Sequence, residues 1–163
     1  IIDIAYNKGI STVIVLDNSI TGMTGHQQNP TTGYTIKGDP TAAVDLTALC
    51  KACGIKRVRV FDPYDLSAAE QAIKEELAVS EPSVLISRRP CALLKQVKHK
   101  PPLKVDENKC TGCTSCMRIG CPAISMRGEG KGRKAFIDFT QCVGCGVCSQ
   151  MCKFGAICEG GGE

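Results

Sequence analysis

No stretch of this sequence approaches the run of about 18 apolar residues that a membrane-crossing helix requires, so no segment reads as a membrane span. The opening residues, Ile1-Ile2-Asp3, lack an initiator Met, and they lack the basic, apolar, small-residue order of a secretion signal. Two expectations follow: the sequence is a portion of a longer polypeptide, and it stays in a reducing compartment, the cytoplasm, where disulfides are rare.

What is abundant is cysteine. Twelve are present, and nine of them fall between Cys110 and Cys158. They sit in an internal repeat. Asp106, Lys109, Cys110, Thr111, Gly112 and Cys113 align with Asp138, Gln141, Cys142, Val143, Gly144 and Cys145, and each half closes on Ala-Ile, at Ala123-Ile124 and Ala156-Ile157. The first half places Cys110, Cys113 and Cys116 at equal intervals, followed by Cys121-Pro122. The second places Cys142, Cys145 and Cys148, followed by Cys152.

Three thiolates with two residues between each let one tight loop wrap three corners of an iron–sulfur cubane, and the fourth cysteine of such a run ligates the other cluster. This pattern predicts two [4Fe–4S] clusters. One is held by Cys110, Cys113, Cys116 and Cys152, the other by Cys142, Cys145, Cys148 and Cys121, with each fourth cysteine expected to start a helix. Zinc is the alternative, but zinc sites set one pair of cysteines against a distant second pair. Two departures stand out: an extra residue before Cys121, expected to bulge near Ile119-Gly120, and Lys153 where proline commonly follows the fourth cysteine.

A large excess of one charge is also lacking. The formal net charge is +4 with every cysteine counted neutral. Each cluster with its four thiolates contributes about −2, so the holoprotein is near neutrality and no nucleic-acid partner is expected. The turn at 128–133 is basic and glycine-rich, and reads either as a dock for an acidic electron carrier or as an exposed loop.

Residues 1–93 read as α/β, a parallel sheet covered by helices. A buried parallel strand is expected at 11–16, a helix at 41–53 capped by Thr41 or Asp39, a strand at 57–61, a helix from Asp65 to about 78, and a strand at 83–87. Residues 94–105 form a basic, proline-containing linker. An α+β ferredoxin-like domain follows at 106–159, and a flexible tail at 160–163. Cys50 and Cys53 fall on a helix end and read as core residues. Cys91 and Cys158 carry no clear role.

The first strand ends in Asp17-Asn18, followed by Ser19-Ile20-Thr21-Gly22-Met23-Thr24-Gly25-His26-Gln27. An amide at the C-terminal end of a strand in an α/β sheet sits where ligands bind, and hard cations accept amide and backbone oxygens. This string resembles the second half of the thiamine-diphosphate motif of 2-oxoacid:ferredoxin oxidoreductases. With Asn29-Pro30-Thr31-Thr32-Gly33, Arg88-Arg89-Pro90-Cys91-Ala92-Leu93 and the dicluster module, nearly the whole chain is similar to the C-terminal part of the large subunit of the indolepyruvate-type enzymes.

The resemblance implies that Asn18 and the Ile20 carbonyl ligate Mg²⁺ on thiamine diphosphate, that Thr21, Gly22, Met23 and Thr24 pack around the diphosphate, and that His26 and Gln27 approach the substrate. It implies oxidative decarboxylation of an aryl 2-oxoacid with coenzyme A, a smaller beta subunit as partner, and electrons passed through both clusters to an external ferredoxin. The family's upstream Gly-Asp-Gly is absent, so these residues by themselves are not expected to catalyse. Two other expectations stay open: an electron carrier with a non-catalytic α/β domain, and the same chemistry on another 2-oxoacid.

Overall fold

A computed structural model describes residues 1–160. The chain forms two compact units, Ile1–Val97 and a second beginning at Lys98. The expected tail at 160–163 falls, apart from Gly160, outside the described residues.

In the first unit a short helix α1 (Ile2–Tyr6) precedes β1 (Thr12–Asp17), α2 (Leu46–Ala52), β2 (Arg57–Phe61), α3 (Leu66–Leu77) and β3 (Ser83–Arg88). The three strands form a parallel sheet in the order β1-β3-β2, with Ser83 opposite both Thr12 and Arg57. The α/β architecture is as expected. The central strand carries Val84, Leu85 and Ile86, all fully buried, the continuous apolar run of a strand covered on both faces.

The first strand departs from expectation. It is half-covered rather than buried, with Ile14 48% and Leu16 77% exposed, because among the described residues it pairs on one side only.

The second helix also begins later than its apolar spacing suggests. Asp45 is the N-cap, its carboxylate accepting from the N–H groups of Thr47 and Ala48. The residues before it are tied to the preceding loop instead, with Thr41 N–H donating to Gly33 O and Val44 N–H to Pro30 O. The helix stops before Gly54, whose φ of +95° few other residues adopt. α3 is capped by Asp65 and pinned to β2 by a two-pronged ion pair, Arg57 Nε and Nη2 to the two Glu76 oxygens at 2.8 and 3.0 Å.

The second unit is α+β. It contains β4 (Leu103–Val105), a 3₁₀ turn at Ser115–Ile119, β5 (Ile124–Arg127), a 3₁₀ turn at Gly130–Gly132, β6 (Lys134–Ile137), α4 (Val147–Gln150) and β7 (Ile157–Glu159). β4 pairs with β7 and β5 with β6, both antiparallel. The end of the stretch expected to be linker is therefore strand. The repeat becomes a structural one: Leu103 and Ala135 occupy equivalent strand positions, and Ile124 and Ile157 the partner strands. The shared core sets Leu103, Ile124, Ile137 and Ile157 around Cys110, Cys116 and Cys148.

Here the expectation that each fourth cysteine starts a helix is corrected. The helical turns come earlier and carry the third cysteine, Cys116 and Cys148. The first ends at Gly120, φ +65°, so the extra residue lengthens that turn. After Cys121 and Cys152 the chain turns directly into β5 and β7, and Pro122 and Gly155 (φ +59°) suit those turns.

Candidate cluster and cofactor sites

Each cysteine run leaves its strand through an aspartate turn. Asp106 O accepts from Cys110 N–H at 2.9 Å and Asp138 O from Cys142 N–H at 3.1 Å. The loop then bends back through a left-handed glycine, Gly112 or Gly144, and enters its helical turn through a second left-handed residue, Thr114 or Gly146. These bends are what lets three sulfurs in seven residues face one point.

Cys110, Cys113 and Cys116 of the first run and Cys152 of the second line one cavity, and Cys121 does not. Burial pushes the Cys116 thiol up, and the neighbouring Cys110, Cys113 and Cys152 push it further. Cys113 is exposed and held below the ordinary thiol range by its hydrogen bond with the Ser115 hydroxyl. In the second run, burial pushes Cys148 up to about 11, and its thiol neighbours are Cys145, Cys142 and Cys121. The fourth cysteine of each run thus stands with the other run.

Peptide donors aim at three of these sulfurs. Ala135 N–H donates to Cys110 Sγ at 3.4 Å, Leu103 N–H to Cys142 Sγ at 3.4 Å and Ala156 N–H to Cys152 Sγ at 3.3 Å. Four soft thiolates with N–H donors suit an iron–sulfur cluster. The residues fit clusters.

In the first unit the loop after β1 is clamped at its root. Arg88 Nε holds Asp17 Oδ2 at 2.8 Å, Arg89 N–H donates to Asp17 O at 3.0 Å, and Cys91 N–H donates to Asn18 O at 2.9 Å. Asn18 Oδ1 accepts from Ile20 N–H at 3.2 Å, and Thr21 and Gln27 exchange backbone hydrogen bonds at 3.0 and 3.2 Å, closing the loop. An open pocket above the strand end is lined by Asn18, Ile20, Thr21, Gly22 and Met23.

Thr24, His26 and Gln27 do not line that pocket; Thr24 and Gln27 bond one another, and His26 is exposed at φ +61°. Two further residues, Asn29 and Thr31, line it instead, with Thr31 Oγ1 donating to Asn29 Oδ1 at 2.7 Å. Their signal lay in the same string of residues, but no spacing rule marks them. The amide and backbone oxygens offered by Asn18 and Ile20 fit a hard cation in part, leaving most of its coordination to be filled from a diphosphate or elsewhere.

The remaining thiols lie apart. Cys50 is buried in α2, its pKa raised by burial and then by Cys53. Cys53 caps that helix, and Cys158 is exposed on β7.

A thiamine-type loop on a parallel sheet, followed by a doubled cysteine cradle, defines a class, and comparison gives the same one. The thiamine pyrophosphate enzyme family, by its C-terminal TPP binding domain, matches residues 1–87, and the 4Fe-4S dicluster domain matches residues 109–156. The chain belongs to the thiamine pyrophosphate enzymes, and it carries a dicluster domain.

Within that class it is similar to the protein named indolepyruvate oxidoreductase subunit IorA. It is 42% identical to that of Pyrococcus horikoshii and 44% to that of Thermococcus kodakarensis, each over 93% of this chain and 24% of the relative. It is 36% identical to that of Archaeoglobus fulgidus over 96% of this chain and 25% of the relative. The chain thus spans about a quarter of the length of these relatives. No helix among the described residues is long and apolar enough to cross a membrane.

Proposed function

We propose that this chain is part of the large subunit of a thiamine-dependent indolepyruvate:ferredoxin oxidoreductase. It would work in the reducing cytoplasm with a smaller second subunit, and convert an aryl 2-oxoacid and coenzyme A to the acyl-CoA and carbon dioxide. The observation that carries the reading is the union, in one chain, of the clamped Asn18 loop with two crossed cysteine sets. Either feature alone is shared with many proteins.

Bound thiamine diphosphate supplies the electron sink for decarboxylation. The Asn18 amide oxygen and the Ile20 carbonyl would hold the Mg²⁺ of its diphosphate, with Thr21, Gly22, Met23 and Thr24 beside it. The clamp of Arg88, Arg89 and Cys91 fixes where that amide points. The cysteines of the second unit would hold two clusters, Cys110, Cys113, Cys116 and Cys152 one, and Cys142, Cys145, Cys148 and Cys121 the other. The clusters would supply one-electron acceptors leading toward an external ferredoxin, and the peptide N–H groups on Cys110, Cys142 and Cys152 would help set how readily they accept.

The test is an anaerobic assay of the complete native protein with its co-purifying subunit. Coenzyme A-dependent reduction of ferredoxin is followed with indolepyruvate, phenylpyruvate and pyruvate, with and without thiamine diphosphate. Thiamine-dependent reduction favouring the aryl acids is expected. Intact clusters without any thiamine-dependent activity would reduce this chain to an electron carrier, and a preference for pyruvate would reassign the substrate.

A further inference from the structure

The two cluster cradles are built as copies, yet their charged surroundings are not copied. Leu103 and Ala135 donate to equivalent sulfurs at the same distance of 3.4 Å, so equivalent positions can be compared one by one. The residue before Ala135 is Lys134; the residue before Leu103 is Pro102. Lys134 is half-buried, and its ammonium donates to the carbonyl of Cys110. Proline offers neither a charge nor a side-chain donor at the matching place.

The same bias recurs around the rims. Arg118 in the first turn corresponds to Gln150 in the second, and Lys153, after Cys152, corresponds to Pro122, after Cys121. The two aspartate turns are balanced in net charge, Asp106, Glu107 and Lys109 standing against Asp138 with the neutral Phe139 and Gln141, and they differ only in what holds the aspartate. Asp106 is paired with the Lys109 ammonium at 3.5 Å, whereas Asp138 is held at 3.0 Å by the neutral amide of Gln141. Arg127 also acts on Asp138, though more weakly than its hydrogen bonds. The lysines on the strand and linker beside the second cradle, Lys100 and Lys104, are exposed. Exposure points the same way, since Cys113 is exposed and its counterpart Cys145 half-buried.

A cluster gains a negative charge when reduced, so a fixed cation and better solvation both favour its reduced form. From this asymmetry we propose that the cluster of Cys110, Cys113, Cys116 and Cys152 is the higher-potential one, where electrons in the relay collect, and that Lys134 is the residue that sets the gap. For each electron transferred, the Cys142 cluster is oxidised by one and the Cys110 cluster reduced by one, with no bond or proton changed. The inference rests on the two-cluster assignment but not on the substrate.

The test is a potentiometric titration of the complete native complex, with dithionite as reductant, read by electron paramagnetic resonance. Two separated one-electron steps are expected. Lys134→Gln should lower the higher potential alone, with about a tenfold loss in the bias between clusters, about 59 mV for one electron, and Lys134→Arg should keep it. Arg118→Gln, which copies the other half at an exposed position, should give a smaller shift that shrinks with added salt.

Two coincident potentials in the parent protein would overturn the proposal, as would a Lys134→Gln shift in the lower step or in neither. If Lys134→Gln fails to assemble its clusters, an unmoved potential in Arg118→Gln together with Lys153→Gln overturns it as well. An iron content well short of eight per chain, about four per cluster, would instead sink the underlying cluster assignment, and is measured separately.

Discussion

The backbone N–H of Cys91 donates to the carbonyl oxygen of Asn18 at 2.9 Å, so the chain three residues past β3 fixes the residue after β1. One step earlier the side chains repeat the link, with Arg88 on Asp17 at 2.8 Å. The Asp17 side chain is only 10% exposed and that of Arg88 44%. Removing the arginine therefore leaves a shielded carboxylate with the Ser19 N–H, at 3.3 Å, as its remaining partner. Arg88→Ala is expected to cost about 1 kcal/mol, and Arg88→Ala with Asp17→Ala less than the sum of the two single changes. Urea midpoints for the four proteins of the cycle check this, and strict additivity would mean that the pair does not anchor the loop.

Asn18 carries two tasks on one oxygen, bracing Ile20 N–H at 3.2 Å and, in our reading, ligating Mg²⁺. Asn18→Ala in the complete native protein is expected to weaken apparent thiamine diphosphate affinity about tenfold, the equivalent of about 1.4 kcal/mol. Higher cofactor and Mg²⁺ should restore activity in part. Cluster absorption should be untouched, because the clusters belong to the other compact unit. Thiamine titrations with and without excess Mg²⁺ decide it, and an unchanged affinity would remove Asn18 from the site.

How far this could be read beforehand depends on how local each cause is. The fully buried run of β3 announces itself in its residues, and so does the cap at Asp65. The edge position of β1 does not: Val13, Ile14, Val15 and Leu16 look like a buried strand, and only pairing reveals that one flank has no neighbour among the described residues. The start of α2 is not legible either, because Ala43 and Leu46 keep a helical interval, while Thr41 and Val44 are claimed by hydrogen bonds to Gly33 and Pro30 across the loop.

The cysteine sets were legible because a cubane imposes a spacing found in few other sites. The donors to sulfur were not, since Leu103 reaches Cys142 from a strand 39 positions away. The repeat held the hint, because Ala135 bears the same relation to Cys110.

Two left-handed glycines of the first cysteine run differ in what surrounds them, and this separates strain from crowding. At Gly112, φ +69°, an added Cβ would run into the Arg133 carbonyl oxygen; at Gly120, φ +65°, nothing lies within 4 Å. Gly120→Ala should cost about 1 kcal/mol from the backbone alone. Gly112→Ala should cost about 3 kcal/mol or more, since strand and loop must separate as well. The readout is the temperature at which cluster absorption is lost on anaerobic heating. Equal losses would mean that the chain at Arg133 does not press on the first cradle.

The crossed ligand sets give the most decisive test, since a crossed and an uncrossed arrangement use the same eight cysteines. In the crossed arrangement, Cys152→Ser perturbs the cluster that Cys110→Ser perturbs, and Cys121→Ser the one that Cys142→Ser perturbs. In the uncrossed arrangement the pairing is reversed. Each variant of the complete protein is reduced and examined by electron paramagnetic resonance, with iron counted in parallel. A variant is expected to lose or alter one signal and keep the other, because the other cradle retains its own thiolates. The neighbours of Cys116 and Cys148 and the cavity shared by Cys110 and Cys152 favour crossing. If Cys152→Ser and Cys142→Ser changed the same signal, each half of the repeat would bind its own cluster, and the comparison of Lys134 with Pro102 would then have to be redrawn around cradles that do not exchange ligands.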